Sequence, residues 1–491
     1  MRTSITHPLQ IAEVAVPGTG GRIGVTFLPG KKQPHAATGP WARDLDLDLD
    51  AIAAWNAAAV VTLVEDHELV RYEVDGLGAA VEARHMAWVH LPIPDMGIPG
   101  AVFEDAWNKV GAGLRSILRD GASIVVHCKG GLGRAGTVAA RLLVELGTEP
   151  ATAIAQVRAA RPGAIENVRQ EDYVMRLARV DEPLPDTGPD ATRDRAIGAL
   201  LGLAVGDALG TTLEFSRRDS KPRVTNIVGG GPFRLQAGEW TDDTAMAVAL
   251  ATSLIEKRKL DEADLIERFC DWQDNGEYSC TGTCFDIGGT VSQALARYRS
   301  TGNPIAGSTA AHSAGNGSLM RLAPVAIRYW QDRQALRDAA ARQSRTTHGA
   351  PEAVDGCVAF AEVLADAIAG LPRHEVMRSR TGDYAGAIAP IMAGSWRGKQ
   401  RHEISSSGYV AHSLEAALWC VSRTASFAQA VILATNLGDD SDTVAAITGQ
   451  LAGALYGYEG IPKDWLDKLA WAKPLETMAL ELTTPWGWYP D

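Results

Sequence analysis

Hydrophobic positions change their period partway along the chain. Early on, β-branched runs such as Ala59–Val64 (AVVTLV) and Ser123–His127 (SIVVH) alternate with segments whose apolar residues recur every three to four positions, as in Val102–Leu118 and Thr137–Leu146. That alternation predicts an α/β layer domain, a central sheet flanked by helices. After Asp194 strand-like runs nearly vanish, and helical patterns dominate at Arg195–Leu209, Thr241–Lys257, Pro351–Ile368, Ser413–Val421 and Thr443–Tyr456. This later part predicts an all-α domain. Between them, Asp181–Asp194 (DEPLPDTGPDATRD) carries three prolines and no apolar periodicity, which marks a boundary. The expected organisation is a first domain over 1–182, a linker over 183–191 and a second domain over 192–491. Within the first long helix, Gly198, Gly202, Gly206 and Gly210 recur every four residues and predict a bare face against which another backbone packs. The short run Leu45–Asp50 (LDLDLD) reads as a solvated helix start or turn.

Composition narrows the function classes. The chain has 491 residues, 46% hydrophobic, and a net charge of −12 from 47 basic and 59 acidic residues, so no general basic field exists to collect nucleic-acid phosphates. Six cysteines (Cys128, Cys270, Cys280, Cys284, Cys357 and Cys420) are too sparse for a disulfide scaffold and point to a reducing compartment. The start, MRTSITHPLQ, lacks the apolar core of a signal peptide, and no uninterrupted apolar run approaches the roughly 20 residues that span a bilayer. The expectation is a cytoplasmic protein with no membrane or nucleic-acid partner.

The sharpest local pattern is VVHCKGGLGRAGTVAARLL, in which a strand-like run ends at His127, Cys128 follows, and Arg134 precedes a helix. Successive backbone N–H groups over Lys129, Gly130, Gly131, Leu132, Gly133 and Arg134 could turn inward around a phosphate, with the helix N-terminus adding positive charge. Cys128 at the bottom of that cradle would be a thiolate nucleophile, and Arg134 a planar fork for two phosphate oxygens. The same glycines satisfy G-x-G-x-x-G, but a dinucleotide fold wants an acidic residue ending a strand some 20 positions later, where this chain has the helical AIAQVRAAR. Asp95, within LPIPDMGIPG, is placed to protonate a leaving oxygen from a separate loop.

His127-Cys128-x5-Arg134 resembles the signature of the cysteine-dependent protein tyrosine and dual-specificity phosphatases. FLPGKK, the PIPD loop and VRAARPGAIENVRQEDYV extend the likeness over roughly residues 20 to 180, toward the branch containing the cyclin-dependent kinase inhibitor 3 phosphatase. The family commonly carries Ser or Thr after the arginine, where this chain has Ala135. That hydroxyl helps the cysteine leave as thiolate, so its loss implies slow hydrolysis of a phosphocysteine, or a capture role.

In the second domain, WTDDT places Thr241, Asp242 and Asp243 at the start of an apolar helix, and GDDSDT repeats the arrangement with Asp439, Asp440, Asp442 and Thr443. Either cluster alone is a good helix cap. Two such clusters invite convergence, and converging carboxylates repel unless a dication neutralises them. Oxygen-only ligands point to Mg²⁺ or Mn²⁺. Cys280-x3-Cys284 has no histidine pair at zinc spacing and reads as core. Further polar islands, with Asp207 and Glu214, Asp286, Asn316, Ser318 and Arg321, His348, and Tyr409, suggest a lined cleft.

Taken in order, GDALGTTLEF, WTDDT, GNGSLMR, TTH, GYVAHSLEAALW and GDDSDT resemble the ADP-ribosylglycohydrolase family, of the dinitrogenase-reductase-activating type, over residues 192 to 485. The resemblance implies that Thr241, Asp242, Asp243, Asp440, Asp442 and Thr443 hold two Mg²⁺ or Mn²⁺ ions, with Asp439 supporting them from behind. It also implies that Glu214 and Asp286 are acid/base candidates, that Asn316, Ser318 and Arg321 line the pyrophosphate side, that His348 lines the cleft, and that Tyr409 stacks on adenine. DIG at Asp286–Gly288 looks like the arginine-linked branch. Together the two resemblances imply a bifunctional hydrolase acting on an ADP-ribosylated protein or ADP-ribose-containing small molecule and on a phosphorylated substrate. The rival implications are a glycohydrolase whose first domain only captures phosphorylated partners, and a non-catalytic ADP-ribose-binding protein.

Overall fold

The computed structural model describes residues 1–36 and 39–484, which divide into two compact units. Unit 1 comprises Met1–Pro183 with Arg397–Arg401 and Ser422–Ala425; unit 2 comprises the remainder of the chain.

Unit 1 is a mixed sheet with helices on its faces. Its strands are β1 (Ala12–Ala15), β2 (Arg22–Phe27), β5 (Ala57–Thr62), β6 (Ala87–His90) and β7 (Ser123–Cys128), in the order β1-β2-β7-β5-β6; β3 (Lys32–Gln33) and β4 (Trp41–Ala42) form a separate short hairpin. Within the five-stranded sheet β1 runs antiparallel to its neighbour and the other pairs are parallel. β5 and β7 are wholly buried, which is why they read as continuous Ala/Val/Ile runs and not as alternating ones. β7 is central, and its register sets Phe27 beside Cys128 and Thr62 beside His127. The nucleophile candidate thus sits at the carboxyl end of the middle strand, the edge at which open α/β sheets bind ligands. The AIAQVRAAR segment is helical up to its last residue, Arg161, which caps the helix Pro150–Ala160. The LDLDLD run begins a helix, Leu45–Ala54, but it is not fully solvated: Asp48 and Leu49 are buried, and Asp48 forms a 2.6 Å ion pair with Arg43.

Unit 2 is almost entirely helical. Its central pair is Pro189–Gly210 and Ser441–Tyr456, packed along the glycine face. A Cβ added at Gly198, Gly202, Gly206 or Gly210 would overlap the backbone of Gly453, Gly449, Ala445 or Ser441, respectively. That pairing order makes the two helices antiparallel, and it lays the C-terminal end of the first against the N-terminal end of the second. By length and composition the stretch Pro189–Leu213 could cross a membrane, which the sequence reading did not anticipate; 94% of its apolar window is buried inside the protein, where it is the core helix.

Candidate active sites

In unit 1, the loop after β7 wraps around Cys128. The Gly131 N–H donates to the Cys128 Sγ at 3.3 Å. Gly131 has φ of +68° and lies so close to the backbone of Thr26 and Phe27 that a side chain would collide, so glycine is required there. The loop feeds directly into the helix Gly133–Glu145, whose N-terminus faces the same space.

Arg134 is buried and held in place. Its Nη1 donates to Glu68 Oε2 at 2.5 Å and to the Ile93 carbonyl at 3.0 Å, its Nη2 donates to Glu68 Oε1 at 3.0 Å, and Asp95 Oδ1 lies 3.1 Å from Nη2. Asp95 is 52% exposed at the loop tip, with Lys129 Nζ at 3.4 Å from its other oxygen. Two further cations bear on the loop. Lys31 Nζ donates to the Lys129 carbonyl at 3.2 Å and packs 4.2 Å over the Trp41 ring; burial first, and then the Arg43 charge, pull it down to about 8. Arg161 Nε donates to the Gly131 carbonyl at 3.1 Å. His127, preceding Cys128, bonds through Nε2 to Thr62 Oγ1 at 2.8 Å, and burial pushes its pKa down to about 3, so it is neutral. Ala135, the residue after Arg134, is fully buried. Sequence reasoning did not single out Glu68, Lys31 or Arg161, because nothing local links them to Cys128.

In unit 2, the helix pair brings the two aspartate clusters together. Asp207, near the end of the first helix, accepts from the backbone N–H of Thr241 (2.9 Å) and Thr244 (3.0 Å) and from both their hydroxyls (2.8 and 2.6 Å), which fixes the start of the helix Asp242–Lys257. Thr241 Oγ1 also lies 3.2 Å from Asp243 Oδ2 and 3.3 Å from Asp442 Oδ2. Thr443 Oγ1 donates to Asp243 Oδ2 at 3.4 Å. Glu214 accepts from the N–H of Ser441 at 2.8 Å and of Asp442 at 3.3 Å. Asn316 Nδ2 donates to Asp440 Oδ2 at 2.7 Å.

Oxygens of Asp207, Asp243 and Asp442, and of Glu214, Asp440 and Asp442, lie within 4.8 Å of one another in two groups that have Asp442 in common. Asp242 belongs to neither group but lines the same cleft. Burial and mutual repulsion raise these acids: Asp207 and Asp440 to about 7, Asp286 to about 9, Glu214 to about 12, and Asp242 and Asp243 also upward. No ion pair reaches this cluster among the described residues, and Asp243 Oδ1 is buried without a hydrogen-bond partner. Buried carboxylates with an orphaned oxygen and no basic partner fit divalent cations with oxygen ligands.

A cleft of about 720 Å³ opens over the cluster, lined by Glu214, Asp242, Asp286, Asn316, His348 and Asp442 among others. His348 is buried in its wall and held neutral by that burial, pushed down to about 3. Of the residues expected to line it, Asp207, Ser318, Arg321 and Tyr409 do not. Arg321 is fully enclosed, donating to Gln343 and to Thr347 Oγ1 and stacking on Phe269; Ser318 is bonded to Ser344 behind the wall. Both shape the GNGSLMR turn from within, because a buried guanidinium is spent on fixed acceptors. Tyr409 is partly buried, edge-on to His412, and is not among the cleft-lining residues. Cys280 and Cys284 pack against the hydrophobic core.

Comparisons with known proteins align with this geometry. Residues 188–490 match the ADP-ribosylglycohydrolase family model, and residues 37–148 match the model described as "Polymorphic toxin system, DSP-PTPase phosphatase". The chain is 47% identical over 289 residues to an ADP-ribosylarginine hydrolase, Tri1, of Serratia proteamaculans, covering 59% of this chain and 79% of that protein. It is 34% identical over 290 residues to an ADP-ribosyl-[dinitrogen reductase] glycohydrolase of Rhodospirillum rubrum, covering 58% and 92%. A solved ADP-ribosylglycohydrolase-related protein complex contains a chain 39% identical, with a TM-score of 0.54, covering 60% of this chain and 98% of that one. The chain is a hydrolase that belongs to the ADP-ribosylglycohydrolase family, and it carries a dual-specificity-type phosphatase domain ahead of that family's all-α fold.

Proposed function

We propose that unit 2 releases ADP-ribose from modified arginine side chains at a dinuclear centre, and that unit 1 hydrolyses phosphomonoesters through Cys128. The observation that carries the first half is the convergence of carboxylates about 200 residues apart in sequence around Asp442. Thr241, Asp242, Asp243, Asp440, Asp442 and Thr443, joined by Asp207, would hold Mg²⁺ or Mn²⁺, with Glu214 beside Asp440 and Asp442. Such cations, when bound, supply the positive charge that neutralises the cluster and favours a sugar diol. With cations offsetting the repulsion that otherwise keeps it protonated, Glu214, fixed by two backbone N–H groups, would take a proton from water as the water oxygen bonds to the anomeric carbon and the carbon–nitrogen bond breaks, and Asp286 is placed to return a proton to the departing guanidine nitrogen. Likeness to hydrolases named for arginine linkage, at 47% and 46% identity, supports that choice of bond.

In unit 1, Cys128 Sγ would attack phosphorus while Arg134 holds two phosphate oxygens and Asp95 protonates the leaving oxygen; water would then cleave the phosphocysteine. The buried Ala135 methyl favours a second reading, in which the second step is slow and the domain retains its phosphorylated partner.

The test is release of ADP-ribose from an arginine-ADP-ribosylated protein with Mg²⁺, comparing wild type, Asp242→Ala and Cys128→Ser, with phosphate release from a phosphomonoester in parallel. Loss of ADP-ribose release in the aspartate variant alone supports the reading. An inert wild type sinks the arginine assignment, and a stable phosphocysteine without phosphate turnover selects the capture role.

A further inference from the structure

The two acid/base candidates of unit 2 are each chained to a phenylalanine. Phe215 follows Glu214, and Phe285 precedes Asp286. Phe233, from a different loop, joins them: its ring centroid lies 6.2 Å from that of Phe215 and 5.3 Å from that of Phe285. The result is a continuous aromatic strip with a carboxylate at each end.

This strip is not core. Phe215 is 67% exposed, although its neighbour Leu213 is buried, and it lines the cleft together with Glu214 and Asp286. Its backbone has φ of +57°, a conformation rarely adopted by a bulky residue, and Asp286 has φ of +58°. The Phe215 N–H donates to the Asp439 carbonyl at 2.8 Å, tying this backbone to the GDDSDT loop. An exposed ring pinned beside the reacting groups is placed to meet a ligand, and its π-face attracts a flat, weakly hydrated cation.

We infer that Phe215, Phe233 and Phe285 form the acceptor subsite, with Phe215 as its principal face, and that they select a cationic guanidinium leaving group over a neutral hydroxyl one. This rests on the arginine reading above and deepens it. A guanidinium joined to ADP-ribose keeps its positive charge, whereas a serine oxygen carries none, so only the former gains from an aromatic face between two carboxylates.

The experiment uses the full chain and one peptide ADP-ribosylated on either arginine or serine, with kcat and KM read from ADP-ribose release. Phe215→Leu is expected to raise KM for the arginine peptide about five- to tenfold with kcat within about twofold, and to lower the arginine-to-serine preference by the same factor. Phe215→Trp, which keeps an aromatic face, should retain the wild-type KM. Saturation-transfer NMR with agmatine gives a readout independent of turnover: binding to wild type and its loss in Phe215→Leu and Phe285→Leu are expected. Unchanged KM and undiminished agmatine binding in both leucine variants overturn the inference. A wild type that leaves the arginine peptide intact defeats the linkage reading separately, and in that case absence of agmatine binding overturns the subsite as well.

Discussion

The two candidate sites are built in opposite ways. That of unit 1 is nearly contiguous: His127 to Arg134 supply the candidate nucleophile, the glycine loop around it and the guanidinium within one strand-loop-helix passage. That of unit 2 has no contiguous core, because Asp207, Glu214, Asp243, Asp440 and Asp442 come from three separate stretches joined by one helix crossing. Their charge is opposite too. Around Cys128 gather Lys31, Lys129, Arg134 and Arg161, whereas around Asp442 gather carboxylates without a basic partner among the described residues. A site made for an anionic phosphate can be assembled from backbone N–H groups and a few cations close in sequence. A site made for divalent cations must force like charges together, and that takes rigid helices packed at backbone contact.

If the sites are independent as well as different, single substitutions should separate them completely. Asp442→Ala removes the carboxylate common to both acidic groups and is expected to lower ADP-ribose release at least about 10³-fold while leaving phosphate release intact; Cys128→Ser should do the reverse. Assaying both products on each variant checks this, and a variant that damages both activities breaks the comparison. Next in size, Glu68→Gln strips Arg134 of its buried charged partner, leaving only the exposed Asp95 carboxylate, and should destabilise unit 1 by about 3 kcal/mol, read as a shift in denaturant midpoint.

Asp95→Asn should lower phosphate release about 10²-fold, and less for an ester whose leaving oxygen needs no proton, such as 4-nitrophenyl phosphate against an alkyl phosphate. The smallest effect concerns Lys31. The folded protein releases its proton near pH 8, while the unfolded chain keeps it to about 10.5. The unfolded state therefore binds more protons in that window, so stability rises with pH across it, and the cost of burying the charge is fully present below pH 8. Inhibition by inorganic phosphate should weaken by about two- to threefold between pH 7 and 9, as Lys31 loses its charge amid Arg43, Lys129, Arg161 and Cys128. Lys31→Met should flatten that dependence.

How much of this was legible beforehand varied with locality. Pro351–Ile368 and the helix starting at the WTDDT cluster could be read from apolar period and capping residues, as could the strand before Cys128, since each depends on neighbours within a few positions. Asp207 reads in sequence as one of the polar islands of a cleft; in the fold it caps the helix that starts at WTDDT and lies against Asp243 and Asp442. Arg321 illustrates the converse. Its motif placed it at the cleft, but its guanidinium is consumed by Gln343 and Thr347 inside the wall, a choice that depends on which face of a short turn points outward.

The sequence by itself determined two fold classes, the glycine loop after Cys128 and the presence of two aspartate-rich helix starts, because period, capping and turn chemistry act over a few residues. Only the tertiary structure decided that Glu68 grips Arg134, that Lys31 and Arg161 reach the cysteine loop, that Asp442 belongs to both acidic groups, and that three phenylalanines from separate loops form one strip. Those are contacts between distant segments. Their geometry follows from how the glycine-faced helices and the sheet pack, and packing is a property of the whole chain, set by many weak interactions no short window contains.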